Sequence, residues 1–139
     1  MDCIFCKIVA GEIPSFKVYE DDNIIAILDI SQATKGHTLV IPKKHYKNLY
    51  ELEATLAGEI FKKIPLLANA IKNAFHPIGL NVLINTEKPL QTVNHFHMHM
   101  IPRYESDGVK IDFINHQSDL NQIKYQGIQE SIKKELSRD

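Results

Sequence analysis

Residues 95–100 read His-Phe-His-Met-His-Met, an imidazole at every second position with a bulky apolar side chain in each gap. On a helix, residues two apart point to nearly opposite sides, which scatters the three imidazoles. On a strand they share one face, about 6.6 Å apart per step. The alternation therefore predicts a strand, with His95, His97 and His99 on one surface and Phe96, Met98 and Met100 in the core behind it. Three of the chain's seven histidines fall within five positions, which favours a chemical role over an ordinary half-buried strand. Two chemistries suit the pattern. His-x-His on a strand is a frequent metal-binding arrangement, and a neutral imidazole can attack phosphorus directly as a nucleophile.

The rest of the chain predicts what surrounds that strand. Residues 18–28 place the turn-prone Glu-Asp-Asp-Asn between two apolar runs, as in a hairpin. Residues 38–41, closed by Pro42, read as a short buried strand. From Leu52 the apolar positions Leu56, Ile60, Ile64, Leu67, Ile71 and Phe75 recur at spacings of three and four, one face of a helix that ends before His76-Pro77, with a kink expected at Pro65. Residues 80–85 and 93–101 read as a strand pair, and a last helix is expected from about Leu120. This order implies an α+β fold, an antiparallel sheet of about five strands with one long helix and a C-terminal helix, because the crossovers that parallel strands need are missing. At 139 residues the chain has the size of one domain; it is read as a single domain over 1–139 with a helical extension from about 118.

Charge narrows the partner. With 16 basic against 17 acidic residues the net charge is −1, which excludes the electrostatic footprint of a nucleic-acid or membrane-surface binder and leaves a small molecule. No apolar stretch is long enough to span a bilayer and the N-terminus lacks a secretion signal, so a cytoplasmic protein is expected. In a reducing compartment the Cys3-x-x-Cys6 pair is expected to bind metal or do redox work rather than form a structural disulfide. His76 and His116 have no partner in sequence and read as surface or capping residues.

Residues 29–46, Asp-Ile-Ser-Gln-Ala-Thr-Lys-Gly-His-Thr-Leu-Val-Ile-Pro-Lys-Lys-His-Tyr, together with 91–103, Gln-Thr-Val-Asn-His-Phe-His-Met-His-Met-Ile-Pro-Arg, closely resemble the histidine triad (HIT) family of nucleotide hydrolases and transferases. The match runs from the Cys-Ile-Phe-Cys-Lys-Ile segment through Arg103. The resemblance implies a homodimer that binds a purine nucleotide with its α-phosphate over the histidine strand. His97 is then the nucleophile that forms a nucleotidyl-histidine intermediate, later hydrolysed by water. His99 stabilises charge or handles a proton, and His37 completes the network. Asp29 is expected at the ribose hydroxyls, Ile30 near the base, Asn85 near ribose and phosphate, and Gln91, Thr92 and the backbone to Val93 as further donors. One segment departs from the family pattern: residues 85–93 contain no glycine and carry Leu90 where a glycine is expected.

The family's metal-bearing branch adds a residue after Ile-Pro-Lys-Lys and the first triad histidine to the two cysteines. The resemblance thus implies a structural zinc on Cys3, Cys6, His45 and His95. Two functions follow. One is an enzyme cleaving at the α-phosphate of a phosphoramidate, adenylate or dinucleoside polyphosphate; the other is a zinc-stabilised nucleotide-binding or interaction protein whose turnover is incidental. Intact His97 and His99 favour the enzyme.

Overall fold

A computed structural model describes residues 2–137. They divide into two compact units, one ending at Val109 and the other beginning at Lys110. Among the described residues no helix is long and apolar enough to cross a membrane.

The first unit opens with a short helix α1, Ile4–Val9, whose N-cap Cys3 accepts a hydrogen bond at Sγ from the Cys6 N–H. Strands β1 (Lys17–Glu20) and β2 (Ile24–Leu28) form the expected hairpin. Its turn is set by Asp21, whose Oδ1 accepts from the N–H groups of Asn23 and Ile24 at 2.8 and 2.9 Å. Strand β3 (Thr38–Pro42), the long helix α2 (Ala54–Phe75), β4 (Gly79–Ile84) and β5 (Met98–Arg103) complete it. The five strands are antiparallel in the order β1-β2-β3-β5-β4.

The unbroken apolar run of β2 follows from cover on both faces. Ile24 and Ala26 join Ile60, Leu67 and Ile71 of α2 in one core, while Ile25 and Ile27 pack with Cys3 and Phe5 of the α1 segment in another. Phe96, Met98 and Met100 lie in the α2 core, which turns the intervening histidines toward α1. Helix α2 runs through Pro65 without ending there and stops at His76, whose left-handed φ of 49° caps it. Gly36, at φ 95°, is needed for space as well as for its backbone angle, because a Cβ there would lie 2.9 Å from the Phe75 ring.

Two features differ from expectation. Strand β5 starts at Met98, not at 93, because the preceding segment leaves the ladder for the loop after β3: the Phe96 N–H donates to the Tyr46 carbonyl at 2.6 Å. Only His99 of the three histidines therefore sits in regular sheet. Helix α1, Ile4–Val9, stands where no element was expected, although Ile4, Phe5 and Ile8 carry a helical spacing.

The second unit holds a 3₁₀ turn, Gln117–Asp119, and helix α3, Gln122–Leu136. Asn121 caps α3 by accepting from the Lys124 N–H at 2.9 Å, and Tyr125, Ile128, Ile132 and Leu136 are exposed along it.

Candidate active site and metal centre

The histidines differ in what their backbone surroundings demand of them. His97 Nδ1 lies 2.7 Å from the carbonyl oxygen of His95, an atom that can only accept, so this nitrogen carries the proton and Nε2 keeps its lone pair. His37 is constrained the opposite way. Its Nδ1 faces the Ala33 N–H at 3.1 Å and must accept, which puts its proton on Nε2. That proton points at His99 Nδ1, 3.0 Å away, with the Asp29 carboxylate at 3.5 Å. His99 Nδ1 is thereby an acceptor and its proton sits on Nε2. The rings of His97 and His99 lie 5.1 Å apart between centroids, one offering a lone pair and the other an N–H.

Electrostatics keeps both neutral. Burial pushes the His97 imidazole below its ordinary pKa, although the His95 carbonyl works the other way. Burial first, then the neighbouring His97 and His37, push His99 down to about 4. At neutral pH His99 is therefore a hydrogen-bond donor rather than a source of protons. Burial likewise lowers His37, against the pull of Asp29.

His97 and His99 line a cleft of about 390 Å³ that also takes in Asp29, Ile30, Asn85, Thr92 and Val93. Asp29 Oδ1 accepts from the Ser31 N–H at 2.8 Å, and Ile30 is 85% exposed at the rim. The apolar wall comes from α1 and the segment after it, with Phe5, Ile8, Ile13 and Phe16. None of these four was anticipated from sequence; the apolar spacing within residues 4–8 was the signal for Phe5 and Ile8. Phe5 also stands edge-on to His97, at 4.9 Å between centroids.

Gln91 does not line this cleft. Its Nε2 donates to the carbonyls of Lys47 (2.7 Å) and Val93 (3.1 Å), while its Oε1 accepts from the Glu87 N–H at 2.7 Å. The amide staples the glycine-free loop to the segment after β3. Glu87 itself takes the left-handed φ of 60° that glycine would ordinarily supply.

On the other side of His95 lies a second constellation. His95 Nε2 donates to the Pro42 carbonyl at 2.8 Å, which frees the Nδ1 lone pair. That Nδ1 is 3.3 Å from Cys3 Sγ, 3.5 Å from Cys6 Sγ and 3.1 Å from His45 Nδ1, and Cys6 Sγ is 3.4 Å from His45 Nδ1. All four donor atoms lie within 4.8 Å of one another. A tetrahedral zinc with bonds of about 2.0 to 2.3 Å sets its ligand atoms roughly 3.3 to 3.8 Å apart, so the S₂N₂ set fits such an ion closely. His97 belongs to neither this cluster nor the second grouping of possible ligands, Asp29, His37 and His99.

The chain as a whole is similar to other proteins. A curated relative, Protein hit from Bacillus subtilis, is 53% identical over 138 residues, 98% of this chain and 95% of that protein. A crystal structure of a HIT family member from Bacillus subtilis superposes with a TM-score of 0.94 at 52% identity, covering 96% of each chain. Adenylylsulfatase HINT3 from Arabidopsis thaliana is 43% identical over 107 residues, 76% of this chain and 54% of that protein. A zinc-bound histidine triad family protein from Mycobacterium smegmatis is 36% identical with a TM-score of 0.74, covering 86% of this chain and 87% of that one. The HIT domain model matches residues 10–106, a span that holds every histidine of both constellations. Helix α1 and its cysteines lie outside that span but within the reach of the bacterial relative, and on these matches the chain belongs to the HIT domain family.

Proposed function

We propose that the protein is a nucleotide hydrolase or transferase that cleaves at the α-phosphate of a purine nucleotide through a nucleotidyl-histidine intermediate. The observation that carries this reading is the opposed tautomers of His97 and His99 in one cleft. The His97 Nε2 lone pair forms a bond to the α-phosphorus as the bond to the leaving group breaks. His99 Nε2–H stabilises the charge that builds on the phosphoryl oxygens, as a fixed donor that needs no reorganisation. Water then attacks phosphorus and breaks the phosphorus–nitrogen bond, releasing its proton to solvent and restoring neutral His97.

Asp29, Ile30, Asn85, Thr92 and Val93 bind the nucleotide in this reading, and the adenylylsulfatase relative supports a nucleotide in the cleft. Gln91 contributes by holding the loop rather than by donating to phosphate. Cys3, Cys6, His45 and His95 are the residues that would hold a structural zinc, which would supply cross-linking between the N-terminal segment and the histidine strand; the zinc-bound relative supports that assignment. Homodimerisation belongs to the same reading. It is supported by β4 at the sheet edge and by Phe61 and Leu66, each more than half exposed, on α2. The test is turnover of an adenosine phosphoramidate, an aminoacyl adenylate and a dinucleoside polyphosphate at equal concentration, with alkaline quenching at short times, because the phosphorus–nitrogen bond of a nucleotidyl-histidine is labile in acid and survives in base. We expect turnover of at least one class and a nucleotidyl adduct on His97; absence of both would overturn the assignment.

Asp29 gives a narrower expectation. A carboxylate that accepts two hydroxyls loses most when both are present, so Asp29→Asn is expected to weaken ribonucleotides about tenfold or more and 2′-deoxy analogues far less. Equal losses in calorimetric titrations of the two sugars would remove Asp29 from the ribose site.

A further inference from the structure

The proton pattern of His37 and His99 depends on a loop that has to be shaped before either ring can be correctly protonated. Residues 29–37 carry Asp29 at one end and His37 at the other, joined by a backbone bond from the Asp29 N–H to the His37 carbonyl at 3.0 Å. Between them stands Gln32, a residue with no part in the cleft lining. Its φ is 43°, in the left-handed region that a non-glycine side chain enters only when its surroundings repay the strain. The repayment is visible. Gln32 Nε2 donates to the Asp29 carbonyl and to the His37 carbonyl, both at 2.7 Å, and its Oε1 accepts from the Gly36 N–H at 2.9 Å. The amide cannot be turned round, because two carbonyls require its NH₂ and one N–H requires its oxygen.

This clamp has a chemical address. It spans both ends of the loop and fixes the segment immediately before Ala33, whose N–H faces His37 Nδ1. If that N–H turned away, Nδ1 would lose the donor that obliges it to accept. The Asp29 carboxylate, 3.5 Å from Nε2 and itself positioned by the same loop, would be the remaining contact in the loop favouring the proton there; His37 could then carry its proton on Nδ1. His37 Nε2 would then present a lone pair to His99 Nδ1, and His99 would have to move its own proton to Nδ1 to keep the contact. Its Nε2 would then face a phosphoryl oxygen with a lone pair instead of a proton. We propose that Gln32 is a positioning residue that sets the tautomers of His37 and His99 and so decides whether His99 can donate to the phosphate. The proposal rests on the nucleotide-cleaving role of the cleft for its kinetic consequence, but not for the tautomers themselves.

The experiment labels histidine with ¹⁵N and reads the ring nitrogens of His37 and His99 by long-range heteronuclear correlation in the wild type, Gln32→Gly and Gln32→Glu. Glycine removes the clamp while accepting the left-handed angle, so backbone strain does not confound it. Glutamate keeps size and the acceptor for Gly36 but loses both N–H donors, which covers the case in which the glycine variant does not fold. In the wild type both rings are expected as the Nε2–H tautomer. In either variant the two nitrogens of each ring are expected to shift toward one another, as two tautomers become populated. kcat is expected to fall about tenfold or more, below the roughly 10²-fold loss of deleting a donor outright, with KM changed less than about threefold. A His37 that is Nδ1–H in the wild type, or variants whose ring nitrogens keep wild-type positions, would overturn the proposal whatever happens to kcat. Because the spectra need no substrate, a wild type with the expected tautomers but no turnover would instead overturn the enzymatic reading alone.

Discussion

Replacing His97 by alanine is expected to reduce turnover roughly 10³-fold or more while leaving nucleotide affinity within about threefold of wild type. The split follows from the division of labour in the cleft. Asp29, Asn85, Thr92 and the apolar wall of α1 line the cleft independently of the His97 ring, whereas only His97 presents an Nε2 lone pair held by a main-chain carbonyl. Single-turnover kinetics with equilibrium binding separates the two quantities. A His97→Ala variant that turns over at more than a tenth of the wild-type rate would rule out covalent catalysis at this position, and a parallel loss of affinity would place His97 in ground-state binding instead.

The second large effect is on stability. Chelation, or Cys6→Ser, is expected to lower the melting temperature by about 10 °C or more, since losing even ~3 kcal/mol of metal-coupled folding energy shifts a domain of this size by roughly that amount. One zinc per chain is expected by elemental analysis. Activity per folded molecule should fall only modestly, through looser seating of Phe5 against His97. The competing arrangement, a catalytic metal on His95, His97 and His99, predicts that a Cys3→Ser, Cys6→Ser double variant keeps its metal and that chelation stops catalysis without unfolding. The geometry already weighs against it, because His95 and His99 fall into separate groups of possible ligands and His97 into neither.

Much of this was legible in residue order. The period of two at 95–100 correctly put Phe96, Met98 and Met100 behind the histidines, because a buried α2 core leaves apolar side chains one permissible face. Amphipathic spacing found α2 and α3, and the Asp-rich turn found the first hairpin. What sequence could not show was the point where pairing begins. His95 and His97 lie outside the ladder because Phe96 bonds to Tyr46 and His95 to Pro42, tertiary choices with no local signature. The apolar wall from α1 was not legible for a different reason: six residues of helix are too short to announce themselves by propensity. Gln91 illustrates a third kind of gap: donor chemistry was evident, but its use as a loop staple depends on where Lys47 and Glu87 come to rest.

His95 contributes two different parts of itself to two different tasks. Its side chain faces the sulfur ligands, and its carbonyl oxygen holds the proton of His97. Side chains can be exchanged by mutation; a main-chain carbonyl cannot. A lineage could therefore discard Cys3, Cys6, His45 and even the imidazole of His95 and still keep the proton of His97 on Nδ1, provided the backbone path from 95 to 97 survived. The Cys/His cluster and the tautomer of His97 are in this sense separately heritable, although they meet at a single residue.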